Sequence, residues 1–152
     1  MIRYKLVDRH YRTRAGKSNE TLWRLPDGTF PRIEPAGNGT AMCGPGVVHS
    51  YASPALAVFM NPVHAVIADP ICLKCETGPL VADDGLKGGH KWMQALREVA
   101  LPAPTMRQRV IFAIMCARSV PGRALVPTWE VWADSYLTGT ARAAEAAEAA
   151  ER

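Results

Sequence analysis

Apolar and polar residues alternate through residues 2–7, Ile-Arg-Tyr-Lys-Leu-Val, the period of a strand with one buried face. Residues 9–20 are polar and basic, which predicts a loop or hairpin end. Residues 21–25 are a second strand candidate. Asp27-Gly28 is a turn pair, from which residues 29–33 would return as a third strand. Four glycines and two prolines make residues 34–46 a long loop. That loop lacks the spacing and the terminal Lys-Ser/Thr of a phosphate-binding P-loop, so its glycines are read as turn formers.

A strand over 47–51 follows. Ser53 is a natural N-cap and Pro54 fits the first helical position, where its missing N–H is not needed. Residues 55–60 carry almost no polar group, so a buried helix is expected, ended or kinked at Asn61-Pro62. Past the breaker Asp69-Pro70, residues 71–76 predict a strand with Ile71, Leu73 and Cys75 on one face. Turns at Thr77-Gly78-Pro79 and Asp83-Asp84-Gly85 flank a short strand over 80–82. Residues 92–101 fit either a strand or a helix. Thr105-Met-Arg-Gln108 is a capping box opening a helix that is apolar on every side over 110–115, hence a core helix. Pro121-Gly122 closes it. A third helix over 127–138 carries Trp129, Trp132, Ala133, Tyr136 and Leu137 as one apolar stripe, with Gly139 as its C-terminal cap.

These elements predict an α+β fold: a mostly antiparallel sheet packed on helices near 53–60, 105–118 and 127–138. One compact domain would span 1–139. The Ala-Ala-Glu repeats of 140–152 would form a helical or frayed tail, since a short alanine helix is marginal alone. A hydrophobic fraction of 48% supports a real core. No apolar run reaches the ~18–20 residues that cross a bilayer, and no secretory leader opens the chain, so a cytoplasmic protein without membrane contact is expected. The four cysteines are then read as reduced thiols.

Charge changes this picture at one end. Residues 1–32 carry eight cationic side chains against three acidic ones, while the remainder is nearly balanced. Arg9, Arg12, Arg14 and Lys17 are therefore the candidate binding residues, for nucleic acid or an acidic protein face. Catalytic signatures are sparse. Cys72-Leu-Lys-Cys75 has zinc-ligand spacing, but Cys43, His64 and His90 supply no second pair, and strand residues three apart face opposite ways, so no metal and no cofactor is expected. His49 and Tyr51 lead into the capped helix in the layout of ADP-ribosyltransferase-like folds, which place an Arg or His on an early strand and a Glu on a later one. Arg3 or His10, Ser50 or Ser53, and Glu76 or Glu98 would complete such a set. His49, Tyr51 and Glu98 are thus the weak catalytic candidates for an NAD- or nucleotide-using transferase, with no residue committed to catalysis.

The run at 49–64, His-Ser-Tyr-Ala-Ser-Pro-Ala-Leu-Ala-Val-Phe-Met-Asn-Pro-Val-His, carries one further signal. With it go Asp69-Pro-Ile-Cys-Leu-Lys-Cys-Glu76, Asp84-Gly-Leu-Lys87, Leu96-Arg-Glu-Val-Ala-Leu-Pro102, Gln108-Arg-Val-Ile-Phe-Ala113 and the Trp-rich segment before the alanine tail. In these runs the chain resembles small proteins encoded by bacteriophages and prophages. The resemblance implies a strand at 95–101. It also implies a protein that acts in the host bacterial cytosol by binding and inhibiting a host protein, in the manner of anti-defence (anti-CRISPR-like) factors.

Overall fold

The computed structural model describes residues 1–120 and 127–140. They form an α+β fold with β1 (Ile2–Val7), β2 (Arg12–Thr13), β3 (Thr21–Leu22), β4 (Arg32–Ile33), β5 (Val48–Ser50), α1 (Pro54–His64), β6 (Ile71–Thr77), β7 (Leu80–Asp83), β8 (Gly88–His90), β9 (Met93–Val99), α2 (Met106–Arg118) and α3 (Pro127–Thr138). Two compact units divide inside the span expected as one domain: Met1–Ala103, and a second beginning at Pro104. Among the described residues, no helix is long and apolar enough to cross a membrane.

The first unit is built on an antiparallel sheet in the order β1-β6-β9-β4. Its register aligns Lys5 with Leu73 and Leu73 with Glu98, and aligns Leu6 with Cys72. A bulge at Lys74/Cys75 lets Cys75 face Ala95, leaving Leu96 as the extra residue. Val7, Trp23, Val48, Leu73, Cys75, Met93 and Ala95 make one buried cluster, with Phe30 and Ile33 against it. Each large apolar side chain so buried contributes about 1.5–3 kcal/mol. A second sheet, β5-β8-β7, meets β1 at a single bridge where Tyr4 and Tyr51 exchange both backbone hydrogen bonds at 2.9 Å.

Local structure departs from expectation at identifiable points. The Asp27-Gly28 turn forms, with Gly28 at φ +87°. Its flanks do not pair with each other: β3 pairs with β2 as a hairpin, and β4 joins β9. Pro62 does not stop α1, which runs one more turn to His64. Asn61 then closes it, its carbonyl accepting from Ala65 and Val66 N–H and its side chain bonding both backbone groups of Ile67. The expected burial of this helix is confined to Ala57 and Met60. Residues 92–101 resolve as the strand β9. The β8 strand, Gly-Gly-His, was not foreseen. The fit at its glycines is close: a Cβ on Gly88 would lie 2.6 Å from Leu80 Cδ1, which would have to move, and one on Gly89 would lie 3.1 Å from Val47 Cβ.

In the second unit the capping box of α2 is complete, with Gln108 N–H donating to Thr105 Oγ1 at 3.2 Å and Thr105 N–H to Gln108 Oε1 at 2.9 Å. Arg118 ties the helices together through Glu130 at 2.8 Å and Asp134 at 2.7 Å. The expectation that α2 is a core helix fails: within it only Ile114 is buried, because Ala113 and Met115 of its apolar run face outward. Of the α3 stripe, Ala133 alone is buried. Gly139 takes φ +88°, as a C-terminal cap requires. The Pro121-Gly122 stop and the tail beyond Thr140 lie outside the described residues.

Candidate functional site

The basic N-terminal hairpin and the strand–helix segment meet along one groove of the first unit, with a volume of about 1320 Å³. Arg9, Arg12, Arg14 and Lys17 all line it, as do His49 and Tyr51. So do Lys5, Cys43, His64 and Lys87, of which sequence reasoning singled out neither lysine.

Lys5 is placed by β1, whose alternation turns it toward the face that holds Leu73 and Trp23. Its ammonium donates to the His49 carbonyl at 2.9 Å and sits 5.4 Å from the centre of the Trp23 ring. Burial is the main reason its pKa falls to about 8; Cys75 opposes the drop, and the charges of Arg14 and Lys87 add to it. His49 points its Nε2 at the Cys43 N–H, 3.1 Å away, so the ring proton resides on Nδ1. Burial first, then Lys5, Lys87 and Arg14, push its pKa down to about 4, and the ring is neutral at pH 7. Tyr51, two residues on, shares the same strand face. Its hydroxyl lies 3.2 Å from His64 Nδ1, and the two rings stack with centroids 6.0 Å apart. Burial raises the Tyr51 pKa to about 12, keeping the phenol protonated. Lys87 donates to Cys43 Sγ at 3.1 Å.

The hairpin charges are unequally engaged. Arg12 faces Asp8 at 3.4 Å and Glu20 at 3.9 Å. Arg9 Nε donates to the neighbouring His10 Nε2. Arg14 and Lys17 have no acidic partner among the described residues. The glycine-rich loop is not a ligand cradle: Lys91 gathers the carbonyls of Asn38, Gly39 and Gly46 at 2.7–2.9 Å, folding the loop on itself. A Cβ on Gly46 would lie 2.0 Å from Gly39 O, so the close approach requires glycine.

The residues considered for a transferase divide. His49 and Tyr51 share the groove, and His10 also lines it. Glu98 is held elsewhere, accepting from the Tyr11 hydroxyl and facing Arg24 at 3.6 Å. Glu76 is exposed on β6, Arg3 Nε is 3.3 Å from Met1 Sδ, and Ser53 caps α1 through Leu56 N–H at 3.1 Å. Cys72 and Cys75 are both buried, and burial lifts their thiols to about 11 and 12. No three His, Cys, Asp or Glu side chains cluster as metal ligands among the described residues.

One pair was missed as a pair. Ser50 Oγ lies 2.8 Å from His90 Nε2, and His90 Nδ1 lies 3.1 Å from the Gly78 carbonyl. A carbonyl only accepts, so Nδ1 carries the proton and Ser50 donates to Nε2. Both residues are fully buried, which makes this a satisfied interior network with no path for a substrate. The signal lay in the register of β5 against β8, which no local pattern encodes.

No family model, no curated protein and no solved structure matches this chain.

Proposed function

We propose that the chain is a nucleic-acid-binding protein that grips the phosphate backbone in the hairpin groove. The observation that carries this reading is the set of cations on one groove, Lys5, Arg9, Arg14, Lys17 and Lys87, of which none forms a side-chain ion pair within 4.0 Å among the described residues, although Asp84 lies close enough to Lys87 to feel its charge. Burial is the main cause of the lowered Lys5 pKa, Arg14 and Lys87 add to it, and like charges gathered this way carry a standing repulsion. A polyanion removes it. The groove exceeds the ~300–1,000 Å³ of pockets that enclose drug-sized ligands, which suits an extended chain. Protein interfaces are depleted of lysine and rich in exposed aromatics, whereas Trp23 and Tyr51 are buried here. Phosphate contacts draw on Lys and Arg.

Fluorescence anisotropy with labelled RNA and DNA oligonucleotides over a salt series tests the proposal. Each phosphate neutralised adds about −0.7 to the log–log slope for single strands, so three to five contacts predict a slope of roughly −2 to −4. Joint reversal of Arg14 and Lys17 to Glu should reduce both affinity and slope. Binding that is absent at low salt, or insensitive to salt, would refute the reading.

The resemblance to phage proteins supports a second reading, in which the same cations meet an acidic host protein and inhibit it. Retention of such a protein from host lysate, with no oligonucleotide bound at low salt, would favour it over the first.

A further inference from the structure

We propose that the groove selects single-stranded nucleic acid, holding phosphates with its hairpin cations and seating an unpaired base on His64 and Val66 at the end of α1. This rests on the nucleic-acid reading above and names the form of nucleic acid that the site takes.

The groove is lined by two stretches of different chemistry. Residues 8–20 bring Arg9, Arg14 and Lys17 to it, whereas His64, Ala65, Val66, Ile67 and Ala68 bring an aromatic and apolar surface that ends at the exposed Asp69. Sheet register sets the two stretches side by side. Val7 pairs with Ile71 at the end of the β1–β6 ladder. The hairpin begins just past Val7, and the stretch after α1 enters β6 just before Ile71, so both meet the sheet at the same end.

The apolar stretch is fixed without using its own side chains. Asn61 holds it through the N–H groups of Ala65 and Val66 and through both backbone groups of Ile67. The Val66 side chain takes no part in those bonds and is 77% exposed. Its backbone sits at φ +53°, a left-handed conformation that a β-branched residue adopts only under constraint and that asparagine tolerates better. The fold therefore gives no reason for valine at this position. Beside it, Tyr51 backs one face of the His64 ring, with the planes 13° apart. The His64 ring is partly exposed where it lines the groove. Burial, aided by Lys87 and opposed by Asp84, lowers its pKa, so at pH 7 the ring offers a neutral π-face and adds no charge.

These surfaces together favour one form of nucleic acid. A cationic groove that follows the backbone, joined to ring faces on which bases stack, is the general means of holding single strands without reading sequence. Lys87 acts electrostatically on His64, so a cation for the flanking phosphate stands near the base seat. A duplex keeps its base faces inside its own stack. It could engage the cations alone and would leave His64 and Val66 uncovered.

Fluorescence anisotropy with the full chain tests this, using three labelled probes of equal length near neutral pH: a single-stranded oligothymidylate, the same strand made abasic throughout, and duplex DNA. At physiological salt the oligothymidylate should bind tighter than the duplex, and at least about fivefold tighter than the abasic strand, the small end of what one stacked base contributes. His64→Ala should remove about that fivefold and leave abasic affinity and the salt slope unchanged. Val66→Asn suits the left-handed backbone, so the variant should fold as well as the natural chain. It should lose about two- to fivefold in oligothymidylate affinity, the yield of covering part of a valine. An abasic strand or a duplex bound as tightly as the oligothymidylate would overturn this proposal and leave the phosphate grip standing. So would variants that change nothing, or that weaken base-bearing and abasic strands alike. No probe bound even at low salt would overturn both readings.

Discussion

Replacing Lys5 by methionine should make the fold more stable while loosening its hold on phosphate. The lysine pKa falls from 10.5 to about 8 in the folded chain. At about 1.4 kcal/mol per tenfold, this sets a gross cost of ~3 kcal/mol for keeping the ammonium charged inside the fold. Part of the side chain still meets solvent, which screens the effect. Methionine also forfeits the hydrogen bond to the His49 carbonyl, worth ~1 kcal/mol. Its thioether can in turn pack on Trp23, where the lysine now lies. The net expectation at pH 7 is a gain of ~1–2 kcal/mol, read as a rise of roughly 3–6 °C in Tm.

The pH dependence separates this account from simple repacking. A lysine with a lowered folded pKa binds its proton less tightly in the fold than in the unfolded chain. The natural protein should therefore gain stability as pH rises from about 8 to 10.5, and its deficit relative to Lys5→Met should be constant below pH 8 and close above it. Phosphate or sulfate should stabilise the natural chain and do much less for the variant, because a ligand stabilises only the state that binds it. Thermal and urea unfolding across this range make the measurement. A variant less stable at pH 7 by an amount that does not change with pH would refute the reasoning.

Gly88→Ala should cost about 1–3 kcal/mol in urea unfolding, since the new Cβ meets Leu80 Cδ1 at 2.6 Å and His90 Nε2 at 3.3 Å in a filled interior; a neutral effect would mean β8 can shift. Ser50→Ala should cost about 1–3 kcal/mol by leaving His90 Nε2 buried without its donor, whereas alanine at the exposed Ser18 should change little. Acid should weaken the fold as pH drops from 6.5 toward 4, because the unfolded chain protonates at His49 before the folded one does, and His49→Gln should flatten that part of the stability curve. Glu98→Gln should leave oligonucleotide affinity unchanged in the anisotropy assay, because Glu98 is committed to Tyr11 and Arg24 outside the groove.

What sequence could reveal depended on the range of the cause. The caps at Ser53 and Thr105 and the Asx turn at Asp83-Asp84-Gly85 were legible because donor and acceptor lie within a few residues. Turn chemistry at Asp27-Gly28 specified a reversal of the chain without naming a partner, so the pairing was misjudged: β3 found β2, and β4 found β9. Two glycines hid β8, since their value there is the room they leave for Leu80 and Val47, a property of neighbours distant in the chain. The candidate site divides along the same line. The basic arm was visible as a count of charges, and His49 with Tyr51 as strand neighbours on one face. Lys5 looked like one polar position in an amphipathic strand. Only the crossing of β1 beside Tyr51, with the Lys87 turn brought over it, puts its ammonium among other cations at the edge of the core. A half-buried lysine in a strand, close enough to Arg14 and Lys87 to feel their charge, is thus the feature whose meaning required the fold, and it is the residue on which binding and stability both turn.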